Sequence, residues 1–239
     1  MEQLKKELQE KGYTFFKMQD YPEFSDDYIE YKQYVCNAEK NLLHIIDSVR
    51  MDGHFLKNSK HALLGTDFHI NERAASFNEI EEKIDNEYLP FVNTKENFSQ
   101  YWFYSDNKNH NEIEHLIKLV NKIVEKLYDE NSDVLDHIPL LTYYKKDCFL
   151  REHQDGKTGT RLCAVLIYLN DEDYKMEWGG NIVFERTETI PPIYGNVAVL
   201  DFKEGNCFHE VKKVVDGYGR YAFLTFVSLL GETNTPNYY

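Results

Sequence analysis

After His137 the sequence becomes a series of short apolar runs, rich in valine, isoleucine, tyrosine and phenylalanine, that alternate with turn residues. Short strands with regular turn signals between them are typical of antiparallel sandwiches and barrels, and in particular of the jelly roll. The predicted strands cover residues 140–144, 149–153, 162–169, 181–184, 196–202, 208–215 and 221–229, with turns at Asn170-Asp171, Gly179-Gly180, Pro191-Pro192, Gly205-Asn206 and Gly217.

The N-terminal half has a more mixed pattern, in which helical spacing of apolar residues is the clearest signal. The predicted elements are helices over 1–12, 26–50 and 111–128 and a strand over 13–18. Scattered glycines and a proline in residues 51–109 predict only short helices and loops there. We therefore expect one structural domain of α+β class. It comprises a helical and mixed support region over 1–137, a β core over 138–231 and a tail over 232–239.

Charge and cysteine content exclude several classes of partner. The net charge of −14 repels phosphate backbones and no basic stripe offsets it, so no nucleic-acid partner is expected. The four cysteines lack paired C-x-x-C spacing and are expected to be reduced thiols of a cytoplasmic protein. The charged first residues do not resemble a signal peptide. No apolar run reaches the ~18 residues of a membrane span, so no membrane partner is expected.

Two histidines and one aspartate in the C-terminal half form a candidate metal site. His153 and Asp155 are two residues apart at the end of a predicted strand, so both side chains project from the same face. His209 supplies a third ligand if its strand folds back beside the first. A His-x-Asp triplet alone also arises by chance, but here all three residues accompany predicted strands. Two imidazoles and a carboxylate on one face are typical of non-haem iron(II) oxygenases.

The C-terminal half also resembles a known family. The similarity is carried, in family order, by residues 144–155, 166–171, Gly179-Gly180, 192–195, 209–211 and 220–222. These segments resemble the iron(II)/2-oxoglutarate-dependent oxygenases, and among them the prolyl-4-hydroxylase-like group. The resemblance covers about residues 138 to 230, whereas the first 137 residues match only loosely.

The resemblance implies a fold, a ligand set and cofactors. The fold is a double-stranded β-helix, which is a jelly-roll core, and the implied iron ligands are His153, Asp155 and His209. The implied cofactors are Fe(II), 2-oxoglutarate and O2, and ascorbate is a further candidate. The implied reaction is hydroxylation of an unactivated C–H bond, coupled to conversion of 2-oxoglutarate to succinate and CO2.

Three further residues are implied to contact the co-substrate. Arg220 would pair with the distal carboxylate of 2-oxoglutarate, since a planar guanidinium makes two parallel, charge-assisted hydrogen bonds to a carboxylate. Tyr168 and Tyr144 stand where the family often places a phenol near the co-substrate. The alternative for both is that they are two of 18 tyrosines that simply fill the core.

The substrate is inferred only by analogy with the family. Asp155 favours hydroxylation over halogenation, because related halogenases lack this carboxylate. Phe226 stands where the alkylated-base demethylases carry a second arginine, so nucleobase repair is disfavoured. The expected substrate is an amino acid, either free or within a peptide. Candidate substrate contacts are Arg161, Arg73 and His69, although each is more often an ordinary structural or surface residue.

Two alternatives belong to other functional classes. One is a non-catalytic jelly-roll binding module, which includes a degenerate oxygenase that binds metal or ligand without turnover. The other is a metal-dependent cupin that uses no keto acid. Arg220 separates these alternatives from the oxygenase, because a cupin has no need for a carboxylate-binding arginine on that strand. The oligomeric state is left open.

Overall fold

The computed structural model describes residues 1–32, 98–102, 114–144, 146, 149–153, 161–202, 207–217 and 219–230. The longer helices with complete bounds are α1 (Glu2–Lys11) and α2 (Glu114–Tyr128). The strands are β1 (Tyr13–Lys17), β2 (Phe98–Trp102), β3 (Leu135–Tyr144), β4 (Leu150–His153), β5 (Arg161–Tyr168), β6 (Ile182–Phe184), β7 (Glu188–Ile190), β8 (Asn196–Asp201), β9 (His209–Val211) and β10 (Arg220–Leu229). No helix in these ranges is long and apolar enough to cross a bilayer.

Two antiparallel sheets form the body of the protein. The larger sheet has the strand order β1-β8-β5-β10-β3-β2, and the smaller sheet has the order β4-β9-β6-β7. From β3 onwards the chain crosses repeatedly between the sheets, so that β3, β5, β8 and β10 lie in one and β4, β6, β7 and β9 in the other. This alternation is the topology of the double-stranded β-helix, and it confirms the predicted α+β jelly-roll fold.

Each face of the larger sheet is covered by its own apolar cluster. The inner cluster joins residues of both sheets and includes Leu166, Phe184 and Phe226. The outer cluster packs apolar residues of α1 and α2 against the other face of the sheet. Because strand side chains alternate between faces, β5 and β10 are buried almost along their whole length. The helices therefore support the sheet from outside and leave its inner face to the site.

The two helices match their predicted positions. α1 ends at Gly12, whose φ of 77° lies in the left-handed region that favours glycine, and its N–H donates to the carbonyl of Leu8. The chain then passes directly into β1, as predicted. The apolar residues of α2 recur at helical spacing and are buried. Residues 25–32 are helical, and the rest of the helix predicted over 26–50 lies outside the described residues.

The observed strands differ from the predicted ones in four places. β3 begins at Leu135, five residues before its predicted start. β2 lies in a region predicted as short helices and loops, and it pairs with β3 at the edge of the large sheet. β7 was missed because the turn before it uses Glu185 and Arg186 at φ 48° and 62° in place of the glycine or asparagine that usually signals such a turn. β9 ends at Val211, not at residue 215, because the following segment bonds to the irregular backbone of Trp178 and Asn181.

Candidate active site

The two predicted metal-binding histidines are direct neighbours across the smaller sheet. His153 is the last residue of β4 and His209 the first of β9, and the antiparallel register pairs them with each other. Side chains of directly opposed residues lie about 5 Å apart at Cβ, which is close enough to share one ion. Asp155 lies two residues beyond the end of β4, outside the described residues. The backbone therefore brings the two histidine positions together, and the full ligand set stays a prediction.

His209 is held inside the barrel. Its side chain is 6% exposed, and its ring lies 6.0 Å from that of Phe184 between ring centroids. Its Nδ1 atom is 3.4 Å from the carbonyl oxygen of Cys207. A hydrogen bond from Nδ1 to a backbone carbonyl is a common way to orient a metal-binding imidazole, because it leaves Nε2 as the ligand atom.

Two side chains of the turn between β6 and β7 bind the residues that precede these histidines. The guanidinium of Arg186 donates to both carboxylate oxygens of Glu152, at 2.8 and 2.6 Å, and lowers the pKa of that carboxyl. Glu185 accepts the Phe208 N–H at 2.7 Å through its side chain. Glu152 and Phe208 immediately precede His153 and His209. Sequence analysis missed this turn, because its residues are ordinary surface charges.

Arg220 is a buried cation in the barrel interior. It is the first residue of β10 and is 2% exposed. Its Nη1 donates to the hydroxyl of Thr142 at 3.3 Å, and its guanidinium carbon lies 4.9 Å from the Tyr144 ring and 5.4 Å from the Tyr168 ring. Its Nε has no hydrogen-bond partner, and none of the salt bridges between described residues includes it. A buried guanidinium in this state has unused capacity to bind an anion.

Tyr168 adds a second unused donor beside Arg220. Its hydroxyl is fully buried and has no hydrogen-bond partner in the described part of the chain. Burial raises the pKa of Tyr168 to about 12, although the neighbouring Arg220 guanidinium lowers it in part, so the phenol stays protonated at physiological pH and can donate a hydrogen bond. Buried polar groups are rarely left unpaired, so both groups have capacity for a further acceptor. The two groups together fit the distal carboxylate of 2-oxoglutarate.

Gly180 lets the chain pass close to Arg220, and Gly179 lets it pass close to the backbone of Lys213. A Cβ added to Gly180 would lie 3.0 Å from the Arg220 Cβ and 3.1 Å from the Tyr174 hydroxyl, and one added to Gly179 would lie 1.8 Å from the carbonyl oxygen of Lys213. Both glycines have positive φ, at 82° and 69°. The Tyr174 hydroxyl donates to the Gly179 carbonyl at 3.1 Å. The Gly179-Gly180 pair is thus required by space as well as by backbone conformation.

The three candidate substrate contacts have different outcomes. The guanidinium of Arg161 stacks on Phe226, with 4.2 Å between its carbon and the ring centroid. Phe226 is buried in the inner cluster, on the same face of β10 as Arg220. Arg161 therefore borders the interior at the start of β5. Arg73 and His69 lie outside the described residues, so their roles stay predictions.

Comparison with known proteins agrees with this arrangement. Residues 139–228 match the family model described as the 2OG-Fe(II) oxygenase superfamily. A prolyl-4-hydroxylase from Pseudomonas putida is 14% identical, with a TM-score of 0.54, over 95% of this chain and 97% of that chain. A prolyl hydroxylase from Trichoplax adhaerens, solved with a peptide fragment of the hypoxia inducible factor oxygen degradation domain, is 17% identical, with a TM-score of 0.56, over 94% and 87%.

These structural likenesses, at such low identity, establish a common fold. No curated protein is significantly similar to this chain in sequence. The family model covers the strands that bear the two histidine positions, Arg220 and both tyrosines. Residues 139–228 are therefore an iron(II)/2-oxoglutarate-dependent dioxygenase domain of the 2OG-Fe(II) oxygenase superfamily.

Proposed function

We propose that this dioxygenase hydroxylates an unactivated C–H bond of an amino acid, either free or within a peptide. The observation that carries the co-substrate assignment is the buried Arg220, which lies beside the unpaired Tyr168 hydroxyl and has no carboxylate partner among the described residues. The amino-acid substrate is supported by the fold shared with two prolyl hydroxylases, one of which was solved with a peptide. Substrate identity is otherwise open.

The residues have separate tasks in this proposal. His153, Asp155 and His209 would hold Fe(II) on one face, and Arg220 would hold the distal carboxylate of 2-oxoglutarate. When bound, the metal and the keto acid supply O2 activation and the oxidative decarboxylation that yields succinate and CO2. Tyr168 would donate its phenolic proton in a hydrogen bond to the same carboxylate. None of these side chains needs to act as a nucleophile.

The apolar interior would keep water away from the reaction. Leu166, Ala222 and Phe226 line the inner face of the large sheet, and Phe184 faces them from the small sheet. A dry interior strengthens the pairing between a guanidinium and a carboxylate, because the local dielectric constant is low. Exclusion of water would also limit side reactions that compete with oxidation of the substrate.

The edge of the interior is where the substrate would enter. Arg161 borders it through its stacking on Phe226, and its cationic head is suited to a substrate carboxylate. Arg73 and His69 remain candidates for the same role. Ascorbate remains a candidate reductant that would restore Fe(II) after unproductive cycles.

The test of this function is succinate formation. The protein is loaded anaerobically with Fe(II) and 2-oxoglutarate, then exposed to O2 with free amino acids or short peptides, with and without ascorbate. We expect substrate-dependent succinate release and a hydroxylated product, detected by mass spectrometry. Metal binding without any succinate would instead support the keto-acid-independent, cupin-like alternative. Succinate release that no amino acid or peptide stimulates would contradict the substrate class alone.

Tyr168→Phe is expected to weaken 2-oxoglutarate binding by about tenfold or more, since a hydrogen bond to a charged group contributes about 1.5–3 kcal/mol. The measurement is the dissociation constant of 2-oxoglutarate with the Fe(II)-loaded protein under anaerobic conditions. Tyr128→Phe is the matched control, because it removes a buried hydroxyl from the outer cluster. An unchanged constant in Tyr168→Phe would remove this phenol from the co-substrate site.

A further inference from the structure

The side chain of Asn170 bonds to the backbone on both sides of Arg220. Its Nδ2 donates to the Gly219 carbonyl at 2.6 Å, and its Oδ1 accepts the Tyr221 N–H at 2.8 Å. Asn170 is 1% exposed. The amide of asparagine offers a donor and an acceptor on one short, rigid plane, and both contacts use it.

The backbone of Asn170 is itself fixed from the opposite side. The Asn170 carbonyl accepts the Tyr194 N–H at 2.7 Å, and residue 170 forms an isolated bridge with Ile193. The preceding Leu169 N–H donates to the Tyr221 carbonyl at 3.1 Å. Asn170 therefore joins the end of β5, the start of β10 and the segment before β8.

The segment that Asn170 binds enters β10 through glycines, and on its other edge it pairs with β3, where Arg220 lies opposite Tyr144. Gly219 has a φ of 105°, in the region that favours glycine, and Gly217 just before it has a φ of 79°. A chain that enters a strand through two such glycines is not fixed by its own backbone preferences. The position of Arg220 across the barrel then depends on contacts from outside the segment.

Asn170 is also connected to both unused donors, the Tyr168 hydroxyl and the Arg220 guanidinium. Tyr168 lies two residues before it at the end of β5, and Arg220 lies between the two backbone groups that it binds. A carboxylate that accepts from both donors requires a fixed distance between them. Hydrogen bonding to two groups weakens steeply when the angle or distance departs from its optimum.

We propose that Asn170 is a positioning residue for co-substrate recognition, which holds Arg220 and Tyr168 in the relative placement that a distal carboxylate needs. This inference rests on the proposed function of Arg220. It predicts that Asn170→Ala weakens the contribution of the distal carboxylate to binding. The contribution of the keto-acid end should stay unchanged.

The experiment compares two keto acids that differ only at the distal end. 2-Oxopentanoate has a methyl group where 2-oxoglutarate has its distal carboxylate, so Arg220 and Tyr168 have nothing to bind. Dissociation constants for both are measured by calorimetry with the Fe(II)-loaded protein under anaerobic conditions. The wild type should prefer 2-oxoglutarate by about 30-fold or more, as expected for a buried charge pair. Asn170→Ala should reduce that preference about tenfold and leave 2-oxopentanoate binding within about twofold.

Asn196→Ala is the matched control. Asn196 is also a buried asparagine that donates to a backbone carbonyl, that of Pro191, and it lies in β8, away from Arg220. We expect it to keep the full preference for 2-oxoglutarate. If Asn170→Ala does not fold, Asn170→Leu replaces it, because leucine keeps most of the side-chain volume and removes both hydrogen bonds without adding a charge.

The outcomes separate this inference from the proposed function. If Asn170→Ala keeps the preference, or loses both keto acids equally, Asn170 has a merely structural role and the inference is overturned. The proposed function then stands on the wild-type preference. If the wild type itself does not distinguish the two keto acids, Arg220 does not bind the distal carboxylate, and both proposals fail together.

Discussion

Arg220→Leu is expected to abolish 2-oxoglutarate binding without lowering the melting temperature of the ligand-free protein. Removing one partner of a buried, hydrogen-bonded charge pair costs about 2–5 kcal/mol of binding free energy, which corresponds to a loss of affinity between about 30-fold and several thousand-fold. In the ligand-free protein the same guanidinium is a buried charge whose partners among the described residues are Thr142 and the rings of Tyr144 and Tyr168.

Arg220→Leu should weaken 2-oxoglutarate binding, but it should maintain or raise the free energy of unfolding of the ligand-free protein. Desolvation of an unpaired charge costs several kcal/mol, and the contacts with Thr142 and the two rings offset only part of it. Leucine fills the apolar interior and removes that penalty. We therefore expect a melting temperature for ligand-free Arg220→Leu that equals or exceeds that of the wild type. Such an exchange of stability for function is common where a site holds strained or unpaired groups.

Thermal unfolding of the Fe(II)-loaded protein measures both effects under anaerobic conditions. A ligand at about 100 times its dissociation constant stabilises by about 2.7 kcal/mol. For a chain of this size that corresponds to about 5–10 °C. The wild type should show this shift with 2-oxoglutarate and Arg220→Leu should show none. Lys118→Leu, which removes a positive charge from the exposed face of α2, is the control and should keep the shift.

Either of two results would contradict the assignment of Arg220. A melting temperature several degrees below that of the wild type would mean that the protein already compensates the charge of Arg220. An undiminished shift with 2-oxoglutarate would place the carboxylate elsewhere.

The barrel strands could be predicted from the sequence because each buried strand is an apolar run bounded by turn residues. β5 and β10 are the clearest cases, since both of their faces are buried and their runs are nearly continuous. The sequence also predicted His209 within one strand and Arg220 directly before another, and the structure has them as the first residues of β9 and β10. β2 was not predictable in the same way, because it is an edge strand whose pairing with β3 is its main constraint.

The supporting contacts of the candidate site could not be predicted from the sequence. Asn170 reads as an ordinary turn residue, and its role depends on Gly219 and Tyr221, which are distant in sequence. Glu185 and Arg186 read as surface charges. Their importance follows only from the pairing of β6 with β9, which places their turn beside the strands of both histidines. Sequence periodicity shows which face a residue occupies, and it does not show which strand lies opposite.

His209→Leu is expected to abolish Fe(II) binding and succinate formation together. Leucine is similar in volume to histidine and should preserve the packing against Phe184, but it offers no ligand atom. Loss of a group that only supports a metal ligand reduces metal affinity about 10–100-fold, so loss of the ligand itself should exceed this range. The measurement is anaerobic calorimetric titration with Fe(II). His115→Leu, on the exposed start of α2, is the control and should bind Fe(II) like the wild type.

Arg220→Leu and His209→Leu should fail in different ways, because the metal and the distal carboxylate are bound by different groups. Arg220→Leu should keep the Fe(II) affinity of the wild type and lose the preference for 2-oxoglutarate over 2-oxopentanoate. His209→Leu should lose Fe(II), and with it the metal-dependent binding of both keto acids alike. Unchanged Fe(II) affinity in a correctly folded His209→Leu would place the metal elsewhere. The pairing of β4 with β9 would then not form the metal site. Loss of Fe(II) in Arg220→Leu would show that the two parts of the site are not separable.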